Sequence, residues 1–260
     1  MTISTNYLYS FSKMKAYIIN LPKDTKRHEH INQLLASYPW MEKEFVEAVY
    51  GKELSENEVC ERFDIDLAYK RYGRELNRGE IGCTLSHKSC YEKLVKSNES
   101  WAIVFEDDIT ILHDISPIAS IVEQMNDSIP TILFLSGDYW FLSTHRRLDS
   151  YKIVSVYDAV GTYAYVVNKK AAELILAKNP KPSFVSDNWL LFRRQGVKLF
   201  AINPYLIDAN IENFKSSIEQ DYFGEKRKNM PLLMALNSYW SSLVKRTLVK
   251  TGHFVSKIRK

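Results

Sequence analysis

Trp101-Ala102-Ile103-Val104-Phe105-Glu106-Asp107-Asp108 is the stretch that decides the architecture. Five consecutive apolar residues with no polar alternation read as a strand buried on both faces, which places it in the middle of a sheet. Three carboxylates then follow at once. In open α/β sheets ligands bind at the carboxyl ends of strands. Consecutive carboxylates at such a place repel one another unless a cation neutralises them. Hard oxygen donors suit Mg²⁺ or Mn²⁺ shared with substrate phosphates. Two readings stand at this point. One is a metal–diphosphate site; the other is a solvated turn in which Asp107 or Asp108 caps the next helix.

Outward from this strand, the pattern alternates between strands and helices. Lys15–Leu21 (KAYIINL) is a buried strand ended by Pro22, and Asp24 and Thr25 are N-cap candidates for a helix carrying Ile31, Leu34 and Leu35. Phe45–Val49 reads as a short strand, residues 52–80 as irregular helix and loop, and Ile81–Val95 as a closely packed helix. Ile132–Leu135 and Tyr163–Val167 are further strands, Lys169–Leu176 and Asp187–Arg194 helices, and Lys198–Ile202 a late strand. This alternation predicts an α/β fold with a mainly parallel central sheet. No glycine-rich phosphate loop or GxGxxG is present, so the common nucleotide cradles gain no support.

Composition narrows the classes. The 260 residues are 45% hydrophobic and 25% charged, which excludes disordered, collagenous and coiled-coil chains. Three cysteines (Cys60, Cys83, Cys90) with no CxxC pair argue against a disulfide scaffold or structural zinc and suit a reducing compartment. No apolar run reaches the ~18–20 residues of a membrane span. Residues 1–13 lack the pattern of a secretion signal and read as an ill-ordered extension, with Met14 as an alternative start. The net charge of +4 is unevenly spread: residues 226–260 carry nine Lys/Arg and no Asp/Glu, so residues 1–225 are net acidic. Within the tail, Leu232, Leu233, Leu236, Tyr239, Trp240, Leu243, Val244, Leu248 and Val249 recur at helical spacing. The organisation expected is therefore an extension (1–13), a catalytic domain (14–225) and a basic amphipathic helix (226–260). The helix suits an anionic membrane surface, which points to a cytoplasmic protein peripheral on the inner face of the membrane. With no recognised nucleic-acid module, nucleic acid is not expected as a partner.

Several ordered blocks carry a resemblance. Ile18-Ile19-Asn20-Leu21 with Arg27, then Glu47-Ala48, then Glu80-Ile81-Gly82-Cys83 with Ser86-His87, then Val104–Asp108, then Gly161-Thr162 with Ala164-Tyr165 and Lys170-Ala171, and finally Asp187, together resemble glycosyltransferase family 25, the bacterial lipooligosaccharide glycosyltransferases. The resemblance implies a GT-A-like nucleotide-sugar fold. It also implies a UDP-sugar donor, often UDP-galactose, a lipid-linked oligosaccharide acceptor, and inversion at the anomeric carbon. By the same implication Asp108 binds Mn²⁺ or Mg²⁺ directly, with Glu106 on the metal or ribose and Asp107 between them. Asn20, Leu21 and Arg27 follow the first strand, where such folds hold the uracil and ribose; the diphosphate is a second option for Arg27, and Ala48 is a further cofactor-binding candidate.

Ser86 and His87 either contact the diphosphate or hold the acid loop, and Glu80 is a supporting group or a helix-start residue. Asp187 is the candidate general base, with Asp138 as its alternative; the other reading of Asp187 is an N-cap only. Tyr139 and Trp140 either stack on an acceptor sugar or pack, and Asp208 and Glu212 are candidates for a further metal ligand. Two rivals remain: another Mg²⁺-dependent diphosphate enzyme such as a nucleotidyltransferase, and a non-catalytic saccharide-binding or membrane-adaptor protein.

Overall fold

The computed structural model describes residues 13–148, 151–210, 214 and 232–256. The chain runs from β1 (Met14–Asn20) through α1 (Thr25–Leu34) to β2 (Met41–Glu47). Two short helices, α2 (Glu56–Arg62) and α3 (Ile65–Tyr72), lead into the long α4 (Arg78–Lys96). Next come β3 (Trp101–Glu106), β4 (Ile109–Ile111), α5 (Pro117–Glu123) and β5 (Thr131–Phe134). An antiparallel pair, β6 (Asp138–Leu148) and β7 (Tyr151–Val160), precedes β8 (Ala164–Asn168) and α6 (Lys169–Lys178). The last described elements are α7 (Trp189–Arg194), β9 (Lys198–Asn203), β10 (Ile207–Ala209), α8 (Leu232–Lys250) and β11 (Phe254–Val255).

One nine-stranded sheet has the order β11-β6-β7-β9-β5-β8-β3-β1-β2. Six of these strands (β2, β1, β3, β5, β9, β6) run one way, and β8, β7 and β11 are reversed. The sheet is thus mainly parallel in strand direction, as the alternation predicts. β1 and β3 lie side by side in its interior, and their side chains divide by parity. Tyr17, Ile19 and Val104 join one core with Cys90 and Leu94 of α4 and Ala171 of α6. Ala16, Ile18, Ile103 and Phe105 join the other with Ile31 of α1 and Ile118 of α5. Each fully buried residue of this kind contributes ~1.5–3 kcal/mol, so both faces of β1 and β3 are needed to hold the sheet.

Parallel pairing sets the site. β1 pairs with β2 and β3 in a register that matches Asn20 with Glu47 and Ile19 with Glu106, so the three strands end along one edge. α4 is brought close to that edge by small residues. A Cβ on Gly82 would lie 2.5 Å from Val49 O and 2.7 Å from the Gly51 amide, so only glycine allows this approach. One turn on, Ser86 Oγ accepts from the Val49 amide at 2.8 Å and donates to Gly82 O at 2.7 Å.

The structure departs from the sequence reading in several regions, β4, α5 and β10 among them. Residues 52–80 are not irregular: Ser55 and Glu58 form a capping box at α2, and Asp64 caps α3, which ends on the left-handed Gly73. The strands β6 and β7 were not expected at all. The outer half of β6, from Ser143 to Arg147, is exposed and polar, so it lacks the apolar run that marks a buried strand. At the far edge, α8 lies against β6, where Lys245 pairs with Asp158 at 2.6 Å and sits over the Trp140 ring at 4.3 Å. β11 then pairs with β6. The expected boundary at residues 225/226, Glu212 and the extension before residue 13 fall outside the described residues.

Candidate active site

A cleft of about 560 Å³ opens where β1, β2 and β3 end. Its lining includes Asn20, Leu21, Arg27, Ala48, Ser86, His87, Glu106, Asp107 and Asp108, nine of the residues singled out from sequence. Asp187, the candidate base, is not on this lining. It occupies the turn before α7, beside Ser186, whose hydroxyl is 3.3 Å from Cys83 Sγ on the cleft wall.

The three acids have different surroundings. Glu106 closes β3. It is 3.3 Å from His87 Nε2, and it accepts a hydrogen bond from the Thr162 hydroxyl. Burial pushes the Glu106 carboxyl up, but the hydrogen bond and charge of His87, with Thr162 and Arg27, outweigh it and hold the group below its ordinary range. Asp107 is turned inward: its Oδ2 accepts from Asn20 Nδ2 at 2.8 Å and its Oδ1 from Arg27 Nη1 at 2.9 Å. Asp108 receives the same guanidinium nitrogen on Oδ2 at 3.0 Å. Its Oδ1 is buried and has no hydrogen-bond partner among the described residues. Burial first, and then the charge of Glu106, push the Asp108 carboxyl up to about 7, against the pull of Arg27.

An unpartnered buried carboxylate oxygen is costly. Asp108 lines the cleft together with Glu106, an all-oxygen donor set that suits a hard divalent cation. The residues present therefore fit Mn²⁺ or Mg²⁺ on Asp108 and Glu106. Around the acids, Lys23, Lys26, Arg27 and Lys52 supply the opposite charge on the cleft lining. Such an array of cations matches the oxygens of a diphosphate.

Other singled-out residues hold the acids in place. Asn20 and Arg27 fix Asp107. Ser86 is spent on backbone groups at Gly82 and Val49. His87 is 1% exposed and uses both ring nitrogens, Nδ1 lying 2.8 Å from Tyr165 OH. Glu80 is a helix-start residue: it completes a capping box with Asn77 at α4 and pairs with Arg74 at 2.6 Å. Asp187 does not cap α7, whose N-cap position is Asn188 without a side-chain bond. Burial first, opposed by a backbone hydrogen bond at Gly161 and reinforced by the charge of Glu106, raises the Asp187 carboxyl. Asp138 opens β6 opposite Val160, next to the Gly161 turn. Tyr139 and Trp140 pack: the Tyr139 hydroxyl donates to Ile202 O at 2.9 Å, and Trp140 stacks on Phe254 at 4.8 Å. Asp208 lies in β10, which pairs with β4 just beyond the acids, and the next strand end reaches Asp108 through Asn210 N to Asp108 O at 2.6 Å.

Sequence reasoning missed Lys23, Lys52, Tyr50, Cys83 and Phe214 as cleft residues. Lys23 had a signal, since Lys23, Lys26 and Arg27 follow directly on the end of β1. Tyr50 gave none; its ring lies 3.1 Å beneath Lys23 Nζ. Phe214 comes from far along the chain and sits 5.3 Å from the Arg27 guanidinium.

The fold is α/β, and its acid motif lies in a cation-lined cleft at the strand ends. The model of glycosyltransferase family 25 (LPS biosynthesis protein) matches residues 13–189, and the chain belongs to that family. Procollagen galactosyltransferase 1-A of Xenopus laevis is 32% identical over 115 residues, covering 39% of this chain and 19% of that protein. A glycosyltransferase 25 family member of Anopheles gambiae is 36% identical over 100 residues, covering 36% and 16%. The chain thus spans less than a fifth of the length of these two relatives. A Haemophilus influenzae protein assigned as a glycosyltransferase is 26% identical over 202 residues, covering 74% of this chain and 69% of that one. Among solved structures, the galactosyltransferase LgtC with donor and acceptor sugar analogs is similar at a TM-score of 0.34 and 10% identity, over 75% of this chain and 86% of that one.

Proposed function

We propose that this chain transfers a hexose from a UDP-sugar, with UDP-galactose as the first donor to test, to a saccharide acceptor of lipooligosaccharide or lipopolysaccharide, with inversion. The observation that carries this reading is Asp108 Oδ1, buried and without a hydrogen-bond partner among the described residues, on a residue that lines the cleft with Glu106, Lys23, Lys26 and Lys52. In this reading Asp108 and Glu106 hold Mn²⁺ or Mg²⁺. Such an ion, when bound, neutralises charge developing on the leaving diphosphate.

The protein's own groups supply the rest. Asn20, Leu21 and Ala48 lie at the ends of β1 and β2 and form the wall for the uridine. Lys23, Lys26 and Lys52 offer positive charge to the phosphates. Asn20 and Arg27 lock Asp107, so the neighbouring Asp108 is presented without a rotamer search. His87 fixes Glu106 from behind. Asp187 takes the proton of the acceptor hydroxyl as that oxygen attacks the anomeric carbon, and its raised carboxyl makes it a stronger base than an ordinary aspartate.

The exposed Leu236, Tyr239, Trp240 and Leu243 of α8 support contact with an anionic membrane on its cytoplasmic face, where a lipid-linked acceptor is presented. No helix among the described residues is long and apolar enough to cross a membrane.

The test is product analysis with purified protein, UDP-galactose or UDP-glucose, and a lipooligosaccharide core acceptor. Release of UDP with a hexose added to the acceptor supports the reading. Release of pyrophosphate from a nucleoside triphosphate would favour a nucleotidyltransferase instead. Saccharide binding with no turnover and no metal requirement would favour the non-catalytic adaptor.

A further inference from the structure

Cys83 and His87 are four residues apart on α4, so their side chains leave the helix on one face. That face meets the end of β3. There Cys83 Sγ, a ring nitrogen of His87 and a carboxylate oxygen of Glu106 all lie within 4.8 Å of one another. Tyr165 OH takes Nδ1 of His87 at 2.8 Å, which leaves Nε2, 3.3 Å from Glu106 Oε1, as the nitrogen facing the cluster.

In a tetrahedral zinc site the metal–sulfur bond is ~2.3 Å and the metal–nitrogen and metal–oxygen bonds ~2.0–2.2 Å, so ligand atoms stand ~3.3–3.7 Å apart. The His87–Glu106 pair already has that separation. Cys83 closes the remaining gap with a shift of ~1 Å, within reach of a small χ1 rotation.

The surrounding groups suit ligation as well. A zinc-binding histidine commonly gives its other ring N–H to an acceptor that fixes the tautomer, the role open to the Tyr165 hydroxyl here. Tyr165 OH is itself held 2.9 Å from Tyr91 OH, and Thr162 supports Glu106. All three ligands line the cleft, so an ion can enter from it and keep its fourth position open to water. A sulfur–nitrogen–oxygen set selects thiophilic ions over Mg²⁺ and Mn²⁺.

We propose that Cys83, His87 and Glu106 form a second cation site, suited to Zn²⁺, that shares Glu106 with the oxygen-only site at Asp108. Binding replaces the thiol proton of Cys83 and the proton that His87 Nε2 directs at Glu106, both of which leave to the buffer, and forms a metal–thiolate bond without any redox change. Because Glu106 belongs to both sites, zinc withdraws a carboxylate from the acid motif and inhibits transfer. That last consequence rests on the transferase reading; the site itself does not.

The test is a Co²⁺ titration of the metal-free full-length protein in a Cys60→Ser background, because Cys60 is an exposed thiol. We expect a near-ultraviolet thiolate-to-Co²⁺ charge-transfer band that saturates at one equivalent and is bleached by Zn²⁺. The band should persist in Asp108→Asn and vanish in Cys83→Ser. Absence of the band, or its survival in Cys83→Ser, overturns the proposal. Should Cys83→Ser fail to fold, alkylation of Cys83 in the Cys60→Ser protein decides: Zn²⁺ should slow it ~10-fold or more, and an unchanged rate overturns the site. Neither readout needs nucleotide or turnover, so either can succeed where the transferase reading fails.

Discussion

Replacing Asp108 by Asn should stabilise the ligand-free protein. The Asp108 carboxyl rises from 3.8 to about 7 through burial and the charge of Glu106. Between those values the folded protein holds a proton that the unfolded chain has released. Stability is therefore highest below the unfolded value, falls as pH rises through the window, and is fully reduced above the folded value. At ~1.4 kcal/mol per pH unit the ceiling is ~4 kcal/mol. Asp108 keeps Oδ2 3.0 Å from Arg27 and 15% of its side chain exposed, so the low-dielectric ceiling does not apply in full. We expect roughly half of it, ~2 kcal/mol. For a domain of this size that is ~4–8 °C in Tm. The assay is thermal melting of wild type and Asp108→Asn in chelator at about pH 5 and about pH 8. The advantage of the variant should be clearly smaller at the lower pH, which lies inside the window, and reach its full size at the higher. Mn²⁺ should then raise the melting temperature of wild type alone. An advantage equal at both pH values, or larger in acid, would refute the reasoning.

Three further outcomes are expected. Asp187→Asn should lower kcat by ~10²–10⁴-fold with KM for the UDP-sugar within a few-fold, and steady-state kinetics with normal turnover would remove it as the base. Gly82→Ala should cost ~1–3 kcal/mol or more by urea denaturation, because its methyl group would meet Val49 O at 2.5 Å; an unchanged midpoint would contradict the close approach of α4. Replacing both Tyr239 and Trp240, which are 63% and 65% exposed, by Ala should cut sedimentation with anionic vesicles ~10-fold while leaving solution activity intact. Undiminished vesicle binding would take the membrane role away from this face.

The interior of the sheet was legible because β1 and β3 are buried on both faces and so appear as unbroken apolar runs. Parallel neighbours end at the same edge, and for that reason residues as distant as Asn20, Ala48 and Asp108 converge as their positions after strands suggest. That the middle of the three adjacent carboxylates turns inward was not legible. Asn20 and Arg27 decide it, and they lie 87 and 80 residues from Asp107. The helices between 52 and 80 were hidden because their caps, Ser55 and Asp64, stand among many other polar residues. β6 was hidden because its outer half is solvated. The pairing of α8 through Lys245 with Asp158 is a long-range contact that no local period marks.

The central claim is that Glu106, Asp107 and Asp108 build a metal-dependent diphosphate site. Titration calorimetry of UDP into wild type and Asp108→Asn, each with Mn²⁺ and with chelator, tests it most directly. The account predicts that UDP binds wild type only with Mn²⁺ and does not bind Asp108→Asn in either condition, while both proteins remain folded. UDP binding of equal strength in chelator, or undiminished in Asp108→Asn, would contradict it.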